Sequence, residues 1–281
     1  MNGPYMNRGT ADTSRGPSPK LWEDFPWRDI ADGSVAGVQE FQDFVSGGLI
    51  TVPTTHAALV GLPLSGFGSS GATIAYGNAA ATYASGEAGT LVLAETTTRE
   101  SVSVRSDIVP YRISANFGMM CFEIRFKIAS ITTEDCSFFV GLLEDETLTV
   151  DVPVIAAGAD THLIASKDLV GFKKPVADTT TFDAIYRAGG VAAVVVNDGL
   201  GTLAADTYIK LGFRFDPRDN YLRYFVNNVE ASSSKLVPDN TGTDFPADVP
   251  LGFVAGMSVG TAATDNTLTI DWYRCGQVLI P

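Results

Sequence analysis

The clearest regularity along the chain is strict alternation of apolar and polar positions. In Tyr208-Ile209-Lys210-Leu211-Gly212-Phe213-Arg214-Phe215 the apolar residues alternate with Lys210, Gly212 and Arg214. That period of two predicts a strand with one packed face and one wet face. Asp216 to Asn220 supplies turn chemistry, and Tyr221 to Val226 alternates again, which predicts a β-hairpin. Phe122 to Ile128 alternates without a break, the half-buried pattern of antiparallel sheets. Further strands are predicted at Thr90 to Glu95, Ser101 to Arg105, Ser137 to Leu143, Leu169 to Lys173, Phe182 to Arg187, Val191 to Val196, Gly252 to Ser258 and Thr267 to Tyr273. Helical stretches are scarce: Ser34 to Phe44 and Ala57 to Leu62 have room for a turn or two, limited by Pro63 and glycines. The pattern predicts an all-β fold, an antiparallel jelly-roll β-sandwich over residues 37–281, with no second boundary after residue 38.

Residues 1–36 break this texture and predict an extended N-terminal arm. They are rich in Gly, Pro, Ser and Arg, then aromatic in Leu21-Trp22-Glu23-Asp24-Phe25-Pro26-Trp27, which has neither period. Two of the chain's three tryptophans lie there. An arm without its own core hides such rings only against its own domain or a neighbouring subunit, and both readings stand at this point.

Composition narrows the partners. The formal net charge of -13 and a pI near 4.5 repel phosphate backbones, so neither nucleic acid nor anionic membrane is expected. Hydrophobic residues form 45% of the chain and charged ones 18%, enough apolar surface for a large core. Cys121, Cys136 and Cys275 are far apart and odd in number, and read as buried reduced thiols, with a Cys121–Cys136 bridge as the alternative. The first thirty residues interrupt any leader-like apolar stretch with prolines and acids, and runs such as Val191 to Val196 are strand-sized, so a soluble protein is expected.

Candidate chemistry is sparse. Gly66, Gly68 and Gly71 match a nucleotide fingerprint in spacing, but a strand is predicted after them where a helix is needed, so they read as a glycine-rich loop. Glu144, Asp145 and Glu146 are consecutive, whereas paired glycosidase carboxyls must share a strand face, so a solvated loop at a strand end is the better reading. His56 and His162 are isolated and predict no nucleophilic triad and no transition-metal site. Asp216, Asp219, Asn220, Asp239, Asn240 and Asp244 offer oxygen ligands for calcium, yet turn formation accounts for them. No catalytic residue, metal or cofactor is therefore expected.

Three segments together resemble bacteriophage virion proteins with a concanavalin-like, laminin-G-like sandwich. They are the arm motif Leu21 to Trp27, the hairpin Gly212 to Asp216 with Tyr224 to Asn228, and the closing Pro250 to Val254 with Asn266 to Tyr273. In the hairpin, Asn228 replaces the usual Gly. The resemblance implies a structural rather than catalytic role: a capsid decoration (cement) protein on the virion exterior, assembled in a bacterial host cytoplasm. Its implied partners are the major capsid protein and further copies of itself, in a trimer. Leu21, Trp22, Phe25 and Trp27 are then the arm anchors that enter pockets of a neighbouring subunit. The alternative is a lectin-like carbohydrate-binding tail-fibre or adhesion module. A glycan-cleaving enzyme using Glu144 and Glu146 is the third.

Overall fold

The computed structural model describes residues 15–44, 49–50, 57–59, 63–68, 71–76, 89–98, 100–114, 116–132, 136–144, 167–174, 178, 180–189, 194–231, 235–236, 244–260 and 265–280. They form two antiparallel sheets packed face to face. Sheet A holds β1 (Gly37–Gln42), β2 (Leu49–Ile50), β5 (Thr73–Tyr76), β6 (Leu91–Glu95), β8 (Met120–Ile128), β13 (Ile209–Asp216), β14 (Tyr221–Val226), β15 (Val229–Glu230), β16 (Lys235–Leu236) and β18 (Asn266–Val278). Sheet B holds β3 (Ala57–Ala58), β4 (Leu64–Gly68), β7 (Ser101–Ser106), β9 (Cys136–Glu144), β10 (Leu169–Lys174), β11 (Thr181–Arg187), β12 (Val194–Thr202) and β17 (Leu251–Val259). The order in A is β15-β14-β13-β8-β18-β6-β5-β2, with β1 also on β18 and β16 on β14. In B it is β12-β11-β10-β9-β17-β7-β4-β3.

The core lies between the sheets, where alternate residues of both turn inward. Phe122, Phe126, Phe138, Phe172, Phe213, Tyr224, Phe253 and Tyr273 are all buried there. Phe253 of sheet B stacks on Tyr273 of sheet A with ring centroids 3.7 Å apart. The three cysteines are free and buried, as the sequence suggested, and Cys121 and Cys136 are not bridged.

The predicted hairpin forms in register, with Leu211 opposite Val226 and Asp216 opposite Tyr221. Other expectations change. Ser34 to Phe44 holds no helix: Gly37–Gln42 is strand β1, because Glu40 turns inward to the Tyr273 hydroxyl while Gln39 and Phe41 face out. Burial raises the Glu40 pKa. The helix lies earlier, as one short turn α1 (Trp27–Ala31) behind Pro26. Ala57–Ala58 is also strand, while residues 60–62 fall outside the described residues. Gly66 and Gly68 sit within β4 rather than in a loop, and Gly71 takes φ +94 in the turn before β5. Of the predicted strand Val191 to Val196, residues 191–193 lie outside the described residues and the rest falls in β12, which continues through Gly199 with irregular register against β11.

Candidate functional site

The face of sheet A expected to be wet is dry at its centre, because the arm lies across it. Antiparallel register aligns Gly212 of β13, Glu123 of β8 and Arg274 of β18 in one outward row, and Arg214, Cys121 and Gly276 in the next. The Glu123 carboxylate is buried, accepts the Ser18 backbone N–H at 3.0 Å, and accepts the Trp22 indole Nε1–H at 2.7 Å. Burial raises its pKa, against the pull of those arm donors and of Lys210. Lys210, also buried, donates to the Gly16 carbonyl at 3.0 Å. Arg214 reaches the carbonyls of Lys20 and Glu23, each at 3.4 Å.

The apolar half of the contact depends on two glycines. A Cβ on Gly212 would collide with Leu21, and one on Gly276 would collide with the Phe25 ring. Leu21, Trp22 and Phe25 are thereby buried with Cys121 and Phe225, and half-buried Trp27 packs against the cluster. Trp22 meets Phe25 edge-on at 5.4 Å and Trp27 at 4.7 Å. The four residues expected to anchor a partner thus come together, and Leu21, Trp22 and Phe25 are buried against the chain's own domain. A tether built from these three would first have to leave this face.

The departure at Asn228 has a structural use. Asn227 (φ 47) and Asn228 (φ 71) form the two-residue turn joining Val226 to Val229, a geometry with positive φ at both positions. Glycine would serve the turn equally, but only asparagine offers the Oδ1 that accepts the Lys20 backbone N–H at 3.2 Å.

A second candidate lies at one end of sheet B, where β7, β9 and β11 end and β10 and β17 begin. A small open cleft there, with an accessible volume of about 10 Å³, is lined by Arg105, Ser106, Val109, Leu143, Glu144, Gly252 and Phe253. Glu144 Oε2 accepts the Asp168 backbone N–H at 3.3 Å. The Asp168 carboxyl accepts the Gly189 N–H at 3.1 Å and hydrogen-bonds Glu144. Burial first, then the neighbouring Glu144, pushes the Asp168 pKa up. Arg187 is buried beside Asp168 and donates to the Lys167 carbonyl at 3.1 Å.

Of the residues weighed for glycosidase chemistry, Asp145 and Glu146 lie outside the described residues. The carboxyl that Glu144 meets is Asp168, in hydrogen-bond contact, closer than the ~5 Å of retaining or ~6.5–9.5 Å of inverting carboxyl pairs. His56, His162, Asp239 and Asn240 also lie outside the described residues. Asp216 and Asp219 spend their carboxylates on Arg218 and Arg223, whose hydrogen bonds hold both pKa values down. Among the described residues no three His, Cys, Asp or Glu side chains gather to hold a metal.

No protein-family model and no curated protein sequence matches the chain. Solved structures do. The winged bean acidic lectin complexed with methyl-α-D-galactose superposes with a TM-score of 0.54 at 11% identity, over 88% of this chain and 100% of that one. Peanut lectin with a nine-residue peptide gives 0.53 at 14% identity, over 88% and 99%. The Crh5 transglycosylase is a more distant likeness at 0.48 and 15% identity, over 84% and 83%. The chain is an all-β protein of the concanavalin-like, legume-lectin-like jelly-roll class.

Proposed function

We propose that the protein is a lectin-like carbohydrate-binding module whose ligand enters the cleft at the end of sheet B. The observation that carries this reading is that Arg105 and Glu144 both line one cleft with Gly252. A sugar offers hydroxyls that both donate and accept, so it needs a carboxylate acceptor and a guanidinium donor held on rigid elements. Both residues sit at strand ends, and Asp168 fixes Glu144 from behind. The cleft is shallow, with about the room one water needs, so it suits a single hydroxyl at the edge of a sugar ring that otherwise lies on the surface. That the winged bean lectin in this fold was solved with a galactoside is consistent with the reading. On a broad glycan array the chain is expected to bind a narrow set of glycans, with Glu144→Gln and Arg105→Gln each losing at least ten-fold in affinity at unchanged melting temperature. A flat array, with and without calcium, removes the proposal.

Capsid decoration is the second reading, and the surface that favours it is not the arm. Among the described residues β1 is paired on one side only, and Phe41 on its outer face is 47% exposed. Such an edge is a template for another chain. Cryo-EM of purified particles from the source is expected to show the sandwich in icosahedrally arranged copies with β1 at the contact. Its absence from the shell ends this reading.

A further inference from the structure

Among the described residues, one cation on the outer face of sheet A, Arg274, is stacked by rings and makes no ion pair, with the Glu123 carboxylate as its neighbouring anion. Arg125 pairs with Asp271, Arg223 with Asp219, Lys210 with the Gly16 carbonyl and Arg214 with the arm carbonyls. Arg274 instead places its guanidinium carbon 3.7 Å over the Trp27 ring and 5.3 Å from those of Trp22 and Phe41. Among the described residues it donates no hydrogen bond and joins no ion pair, and its Nε is buried without an acceptor. Glu123, its cross-strand neighbour, has its oxygens turned to Ser18 and Trp22. Burial lowers the Arg274 pKa to about 10, with only Glu123 acting to raise it. The indole Nε1 of Trp27 is a second donor left without an acceptor in the same place.

We propose that Arg274, framed by Trp27 and exposed Phe41, is a second ligand site that takes the carboxylate of an acidic sugar, a uronic acid residue. A planar guanidinium with open N–H groups matches a carboxylate fork to fork, and partial desolvation strengthens that pairing. The exposed ring of Phe41 beside the guanidinium presents a platform for a pyranose ring, as flat rings do in ligand sites generally. An acidic peptide would use the carboxylate contact but not the platform. The net charge of -13 disfavours a dense polyanion, so isolated uronic acids in an otherwise neutral glycan are the fitting class. The choice of a sugar rests on the carbohydrate-binding reading above. The site itself is independent of the sheet B cleft.

The test is NMR of the full-length ¹⁵N-labelled chain, following the Trp27 indole N–H and the Arg274 Nε–H during titration with methyl glucuronide. Methyl glucoside and N-acetylglutamate serve as competitors of one chemistry each. A saturable shift of both resonances with methyl glucuronide is expected, at least ten-fold weaker with methyl glucoside and with N-acetylglutamate. Arg274→Gln is expected to abolish it. Because that variant also alters the ground under the arm, Phe41→Ser, which leaves Arg274 and the arm contacts in place, is expected to weaken binding at least three-fold. No saturable shift, or an equal response to the glucoside, overturns the proposal. Tighter binding of N-acetylglutamate than of the glucuronide overturns the sugar in favour of an acidic peptide. A flat array with a positive Trp27 titration removes the cleft and keeps this site, and the reverse result does the opposite.

Discussion

A chain starting at Gly37 is expected to melt about 10 °C below the full-length protein and to self-associate. The arm is a strap that completes sheet A. Its loss uncovers Phe225 and Cys121 together with the flat ground at Gly212 and Gly276, apolar surface interleaved with Glu123, Arg214 and Arg274 that favours association. It also removes the burial of Leu21, Trp22 and Phe25. Deleting one buried aromatic side chain alone costs about 3–5 kcal/mol. The entropy regained by a released arm, and the water regained by Glu123 and Lys210, offset part of the larger loss. A net of about 4 kcal/mol in a domain of this size corresponds to a shift of about 8–16 °C. Calorimetry and size-exclusion chromatography of the truncated chain are the measurements. Unchanged melting and a clean monomer would show that the strap contributes nothing to the fold.

The fold was legible where side chains alternate without interruption. The hairpin from Ile209 to Val226, and strands β8 and β17, follow from apolar residues at every second position and Asp or Asn at the turn. Strand β18 was legible only to Tyr273, although it runs to Val278. Its last part carries Arg274, Gly276 and Gln277, which break the apolar pattern for reasons that lie elsewhere in the chain. Gln277 is buried because its side-chain amide caps the backbone of Arg112 at both ends, and Gly276 is there to receive Phe25. β1 was misread for a related reason: Glu40 looks like a surface residue of a helix until its phenol partner on β18 is known.

The candidate sites divide in the same way. That Trp22, Phe25 and Trp27 need cover is a matter of composition and could be read directly. What covers them could not. Glu123 and Lys210 read as polar positions of alternating strands and Arg274 lay past the last predicted strand, and only antiparallel register sets them in adjacent rows with the two glycines. Glu144 was visible as an acid at a strand end. Asp168 and Arg105, which give that acid a setting, approach it from the start of β10 and the end of β7.

Glu123→Ala is expected to cost about 3–5 kcal/mol in the full-length chain and under about 1 kcal/mol in the chain starting at Gly37. The first figure follows from what the carboxylate leaves behind. The Ser18 N–H and Trp22 indole N–H lose their acceptor, and the buried Lys210 ammonium loses its nearby counter-charge. Breaking one partner out of a buried charged arrangement has costs of this size. The second figure follows because the arm creates the burial: without it, both side chains are expected to face water, where an exposed pair is worth ~0–1 kcal/mol. The four proteins form a double-mutant cycle with an expected coupling of about 2 kcal/mol or more, measured by denaturant unfolding. Glu123→Gln should fall between, since it keeps an acceptor for Trp22 but no charge for Lys210. Additive costs would mean that Glu123 acts through the sheet alone, and the arm would then be held by its rings on Gly212 and Gly276 and by its hydrogen bonds with Lys210, Arg214 and Asn228.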